Sequence, residues 1–113
     1  MSGQDRPTFR EAWDSGRPTY GGWCSIPSPL AVELMSRAGF DWLCIDLEHG
    51  GAQPADLIPL LQAAAVGSTP AFVRVPWNEP GIIMKALDCG AAGVIVPMIS
   101  SAEDAARAAG SGR

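Results

Sequence analysis

Apolar residues in this chain fall into short dense runs, separated by segments in which they recur every three or four positions. The runs cover residues 20–26, 40–46, 71–75 and 93–96. They are rich in Val, Ile, Phe, Trp and Cys and read as buried strands. The intervening segments read as helices with recognisable ends. Thr8, with Glu11 three positions on, is a capping-box pattern that opens a short helix carrying Phe9 and Trp13 and ending near Gly16. Ser28 and Pro29 supply an N-cap and a first-position proline for a second helix. Leu30, Leu34, Met35 and Ala38 form its expected apolar face, and Gly39 ends it. The next helix begins between Pro54 and Asp56. Asp56 is the favoured cap because it leaves Pro59 in the first turn; Leu57, Ile58, Leu60, Leu61 and Ala64 form the apolar face and Gly67 the stop. Two more helices follow, over about 81–87 with Asp88 at the end, and over 102–109 behind a Ser101 cap.

One helix followed by four strand-helix units predicts an α/β fold with a parallel sheet and right-handed crossovers. Four such units make either a small open sheet or half of a (β/α)8 barrel, which takes about 250 residues. Composition narrows the class further. A chain of 113 residues with 47% apolar and 18% charged residues fits one small globular domain. A net charge of −4, with eight scattered basic residues, offers no nucleic-acid or membrane surface. No apolar run reaches the roughly 20 residues of a membrane span, and residues 1–6 lack the apolar core of a signal peptide. Cys24, Cys44 and Cys89 are far apart and read as reduced thiols of a cytoplasmic protein, neither a disulfide set nor a zinc site.

The candidate chemistry begins where the second run ends. Asp46, Glu48 and His49, the only histidine, arrive within four residues, and Gly50 and Gly51 follow. Ligands of parallel barrels and sheets gather at such carboxyl ends of strands. On spacing alone, acids that cap a helix or solvate a loop explain the pattern equally well. Arg74 is out of place inside an apolar run unless it faces an anion, either a ligand or the carboxylate of Asp46 or Glu48. Trp23, on the first strand, belongs to a pocket or to the core. Asp88 by itself reads as a helix-end acid. Lys85, the only lysine, falls mid-helix facing solvent, which argues against Schiff-base chemistry in this chain. No glycine-rich phosphate loop is present.

Three stretches resemble one family. Residues 38–50, AGFDWLCIDLEHG, are similar to the AGFDW-x-x-IDxEHG signature of the HpcH/HpaI aldolases, which are related to the citrate lyase β-subunit. Residues 73–78, VRVPWN, and 87–98, LDCGAAGVIVPM, resemble that family's VR-x-P-x-N and LD-x-GA-x-G-x-x-VPM runs. The resemblance covers residues 20–108 and implies a (β/α)8 barrel, of which residues 1–113 hold a short N-terminal helix and four β/α units. It also implies a metal-dependent pyruvate aldolase, a carbon–carbon lyase that splits 4-hydroxy-2-oxo acids into pyruvate and an aldehyde. Carried over residue by residue, His49 is the base, Asp88 its orienting carboxylate, and Arg74 the clamp on the keto acid, with Trp23 beside the substrate. Asp46 and Glu48 hold metal-bound waters. The implied cofactor is Mg²⁺, Mn²⁺ or Co²⁺; the family's first-shell ligands, a Glu and an Asp, lie on later strands, so no direct metal ligand is expected here. The implied assembly is a homo-oligomer with sites near subunit contacts. The alternative is an inactive fragment, or a half-barrel that acts through association at its open sheet edges.

Overall fold

A computed structural model describes residues 8–113; the polar segment 1–6, read above for a signal peptide, lies outside them. The chain order is α1 (Phe9–Asp14), β1 (Gly21–Cys24), α2 (Pro29–Ser36), β2 (Trp42–Asp46), a single 3-10 turn (Pro54–Asp56), α3 (Leu57–Val66), β3 (Ala71–Arg74), α4 (Pro80–Asp88), β4 (Gly93–Ile95) and α5 (Ala102–Ser111). All three strand pairings are parallel, and the sheet order is β1-β2-β3-β4. Sequential order with right-handed crossovers keeps the crossover helices on one face of the sheet, as in a barrel. The expected α/β architecture is present as four consecutive units of barrel type. Among the described residues no helix is long and apolar enough to cross a membrane.

The strands alternate between two environments because successive side chains point to opposite faces. Leu43, Ile45, Ala71 and Val73 face outward and pack with Val32, Leu57, Leu60, Ile83 and Ala86 of the crossover helices in one core. The opposite face carries Trp23, Trp42, Cys44, Asp46, Phe72 and Arg74, the lining of a barrel interior.

At the amino end of the strands this inner face is aromatic. Helix α1 lies over it, with the ring centroid of Phe9 4.9 Å from that of Phe72 and Trp42 edge-on to Phe72 at 5.9 Å. The indole N–H groups of Trp13 and Trp42 both donate to the Thr19 hydroxyl, at 3.3 and 3.2 Å. Gly21 makes this layer possible: a Cβ there would lie 2.3 Å from the Trp42 ring.

Three sequence expectations are corrected or refined. Leu30 and Leu34 are exposed, and Val32 and Ser36 are buried instead. Helix α2 packs against α3 on one flank and has no comparable helix contact on the other, so its buried stripe is rotated towards α3. Asp56 holds the expected N-cap position of α3 but its side chain does not cap that helix: it has helical φ and ψ, and its carboxylate turns back to accept from the Gln53 backbone N–H at 2.8 Å, closing the 3-10 turn that leads into the helix. The Glu79 carboxylate, inside an expected loop, caps α4 by accepting from the N–H groups of Gly81 and Ile82. The Thr8, Ser28 and Ser101 caps are as expected, and Lys85 is exposed.

Candidate active site

The carboxyl ends of β2 and β3 bring the charged residues together. Asp46 and Arg74 are the last residues of their strands and face each other across the ladder. Arg74 donates through Nε to Asp46 Oδ1 at 3.1 Å and through Nη2 to Oδ2 at 2.7 Å, a two-point contact along one edge of the guanidinium. Trp23 closes a triangle. Its indole N–H donates to Asp46 Oδ2 at 3.0 Å, and its ring lies 5.0 Å from the guanidinium carbon. Trp23 is 42% exposed and so is not a core residue.

Asp46 also organises the loop that follows it. Its Oδ1 accepts from the backbone N–H groups of Glu48 at 2.9 Å and His49 at 3.1 Å. The loop is tied to the end of β1 by Gly51 N–H donating to the Ser25 carbonyl at 2.8 Å. Burial works against ionisation of Asp46, which is 2% exposed. The hydrogen bonds from Arg74, Trp23 and the two backbone N–H groups outweigh it and hold the carboxyl well below the usual carboxylate range. The hydrogen bonds from Arg74 to Asp46 in turn push the guanidinium up.

Five donors fill the two oxygens of Asp46, which offer about four lone-pair sites. The carboxylate expected to hold a metal-bound water is thus committed to protein. Glu48 is less committed: its Oε1 lies 3.5 Å from Arg74 Nε and 3.5 Å from His49 Nε2. The His49 side chain is 76% exposed.

Asp88 is not brought to His49. Strands and crossover helices run in opposite directions, so the last residue of α4 lies at the amino end of the sheet, whereas His49 follows the carboxyl end of β2. Asp88 is exposed there. Among the described residues no group of three or more His, Cys, Asp or Glu could hold a metal ion. Cys24 and Cys44 are buried free thiols, pushed by desolvation up to about 11 and about 12; Cys44 adjoins the charged cluster, its sulfur accepting from the Arg74 backbone N–H. Sequence reasoning missed the Trp23–Asp46 bond. Its only sequence signal is an indole two residues into a strand that pairs with the strand bearing the acid.

Comparison with known proteins places this arrangement. Residues 19–111 match the profile described as HpcH/HpaI aldolase/citrate lyase. A 5-keto-4-deoxy-D-glucarate aldolase of Klebsiella pneumoniae is 41% identical over 105 residues, which are 93% of this chain and 41% of the relative. A hydroxypyruvate/pyruvate aldolase of Rhizorhabdus wittichii is 38% identical over 96 residues, 85% of this chain and 38% of that protein. The crystal structure of an HpcH/HpaI aldolase/citrate lyase family protein from Burkholderia cenocepacia superimposes with a TM-score of 0.76 at 42% identity, covering 81% of this chain and 37% of that one. The chain thus spans about two-fifths of the length of the curated relatives it matches. With strand order, motif positions and matched residues in agreement, the chain belongs to the HpcH/HpaI aldolase/citrate lyase family.

Proposed function

We propose that this chain carries the arginine-and-histidine half of a pyruvate-aldolase site, acting on 4-hydroxy-2-oxo acids. The observation that supports this most is the placement of Arg74. A fixed guanidinium stands at the carboxyl end of a parallel sheet, with an exposed histidine in the adjoining loop. In the cleavage direction His49 accepts the proton of the 4-hydroxyl group, directly or through water. The C3–C4 bond breaks, its electron pair moves into the 2-oxo system, and an aldehyde leaves. Arg74 offsets the negative charge of the pyruvate enolate, which is then protonated at C3. The relatives' names support 2-oxo acid substrates without deciding which aldehyde is released.

The family resemblance implies a divalent cation, Mg²⁺, Mn²⁺ or Co²⁺, as electron sink, and assigns its direct ligands to later strands. Glu48, whose Oε1 lies 3.5 Å from both Arg74 Nε and His49 Nε2, would be the carboxylate here with acceptor capacity left to orient a water of such an ion. If Asp88 orients His49, topology requires that it come from a second copy of the chain, which fits an oligomer with shared sites.

The test is a chimera. Residues 8–113 replace the matching segment of the Klebsiella 5-keto-4-deoxy-D-glucarate aldolase, and pyruvate release from a 4-hydroxy-2-oxo acid is measured with added Mg²⁺, Mn²⁺ or Co²⁺. The chimera is expected to turn over, with His49→Ala and Arg74→Ala each reducing kcat at least about a hundredfold. The 113-residue chain by itself is expected to show little turnover. A folded but inactive chimera would contradict the proposal. A second reading, association through the open edges β1 and β4, is favoured by the exposed Tyr20, Ile26, Leu30 and Leu34 beside β1 and Met98 and Ile99 beyond β4.

A further inference from the structure

We infer that Trp23 and Asp46 are positioning residues for Arg74, which hold one edge of its guanidinium so that the opposite edge is presented to a planar 2-oxo carboxylate. This rests on the reading of Arg74 as the substrate's anion contact and adds how that contact is aimed. Arginine carries five N–H donors in a rigid plane. Asp46 takes the edge formed by Nε and Nη2, and no protein acceptor is bonded to Nη1 among the described residues. The remaining N–H groups of Nη1 and Nη2 form a second two-donor edge, the geometry that suits a carboxylate or the paired oxygens of a 2-oxo acid.

Two features make the arrangement a seat rather than a bare ion pair. Asp46 cannot swing away, because its oxygens are also held by the Glu48 and His49 backbone N–H groups and by the Trp23 indole. The guanidinium cannot easily rotate out of plane, because the Trp23 ring lies against it. The same carboxylate that fixes Arg74 also fixes the His49 backbone. One buried group therefore sets the relative position of the two residues proposed to meet the substrate. The Arg74 side chain is 23% exposed against 3% for Asp46, so solvent reaches the pair on the guanidinium side.

The test is ¹⁵N-edited NMR of the 113-residue chain, following the Arg74 Nε–H and Trp23 indole N–H signals during titration with sodium pyruvate. Arg74→Lys and Trp23→Phe provide the assignments. In the wild type a resolved, slowly exchanging Nε–H signal is expected, and it should shift as pyruvate binds. Asp46→Asn keeps the shape of the side chain but turns a donor towards Nη2. It should broaden the Arg74 signal and weaken pyruvate binding about tenfold. Trp23→Phe keeps a ring against the guanidinium but deletes the donor to Asp46, and should weaken binding about threefold. If Asp46→Asn fails to fold, as judged by circular dichroism, Trp23→Phe decides, since its site is outside the core. Pyruvate binding unchanged by Arg74→Lys would overturn the proposed function and this inference with it. Loss of binding in Arg74→Lys, with binding and the Arg74 signal unaltered in both Asp46→Asn and Trp23→Phe, would overturn the positioning roles alone.

Discussion

The two ends of the inner sheet face use the same strands and are built on opposite principles. At the carboxyl end, Trp23, Asp46 and Arg74 form a closed set of charge-assisted contacts around one buried carboxylate. At the amino end, Phe9, Trp13, Trp42 and Phe72 form a stack of rings, and the polar atoms of the two indoles share a single hydroxyl. An apolar cleft of about 220 Å³ at that end is lined by Trp13, Trp42, Phe72, Val94 and Ile95 and contains no charged group. Developing negative charge is favoured where fixed positive charge stands, whereas the aromatic end packs rings around an uncharged cleft. The lesson is that in a parallel half-barrel the direction of the strands assigns the roles: loops that follow strands carry chemistry, and loops that precede them carry packing.

Four substitutions would break or sharpen this contrast. The largest effect is expected from Asp46→Ala, which leaves the partly buried Arg74 with only the longer Glu48 contact. Removing one partner of a buried ion pair costs about 3 kcal/mol, to be read from urea unfolding at neutral pH. That cost should depend on pH. The Asp46 carboxyl is held below its ordinary value of 3.8, so the unfolded chain takes up the proton first as pH falls. The stabilisation is fully present above about pH 5 and drains away as pH drops further. The gap between wild type and variant should accordingly narrow from about pH 5 to pH 3, and a gap independent of pH would contradict the assignment.

At the other end Gly21→Ala places a methyl group into the Trp42 ring. Overpacking of this kind costs about 2 kcal/mol, and here the cost should be insensitive to pH. Thr19→Val removes the shared acceptor of the half-exposed Trp13 and the partly buried Trp42 indoles and should cost about 1 kcal/mol, seen with a change in tryptophan fluorescence. The smallest effect on stability, but a clean kinetic one, is thiol labelling. Cys24 and Cys44 are buried and pushed up to about 11 and about 12, so a disulfide reagent at pH 8 should modify Cys89 first. Cys89→Ser should abolish the fast phase with little change in stability.

Much of the fold was legible because it depends on local chemistry. The runs ending at Asp46 and Val75, the Thr8 and Ser28 caps and the glycine stops are each readable within a few residues. What was not legible depends on neighbours distant in sequence. The apolar face of α2 was misjudged because Leu30 and Leu34 have the right spacing, while the position of α3 decides which stripe is covered. Asp56 sits at the cap position as read, but the preceding 3-10 turn draws its carboxylate back to the Gln53 N–H instead of onto α3. The Arg74–Asp46 pair was one of two pairings open from sequence, and strand register chose it by setting the two residues opposite each other. Trp23 could not be assigned from its own strand, since its role appears only when β1 lies beside β2. Asp88 shows the reverse case: its place in a family motif is clear, yet topology puts it at the far end from His49 within one chain.

The most direct test of the central claim, that the charged end is the ligand end, is a crystal structure of the chain with pyruvate bound. The account predicts the pyruvate carboxylate or 2-oxo oxygen within about 3 Å of Arg74 Nη1, with Asp46 still bonded to Nε and Nη2 and the Trp23 ring still against the guanidinium. Pyruvate seated instead in the aromatic cleft beside Trp42 and Phe72, or an Arg74 released from Asp46 to reach it, would contradict the account.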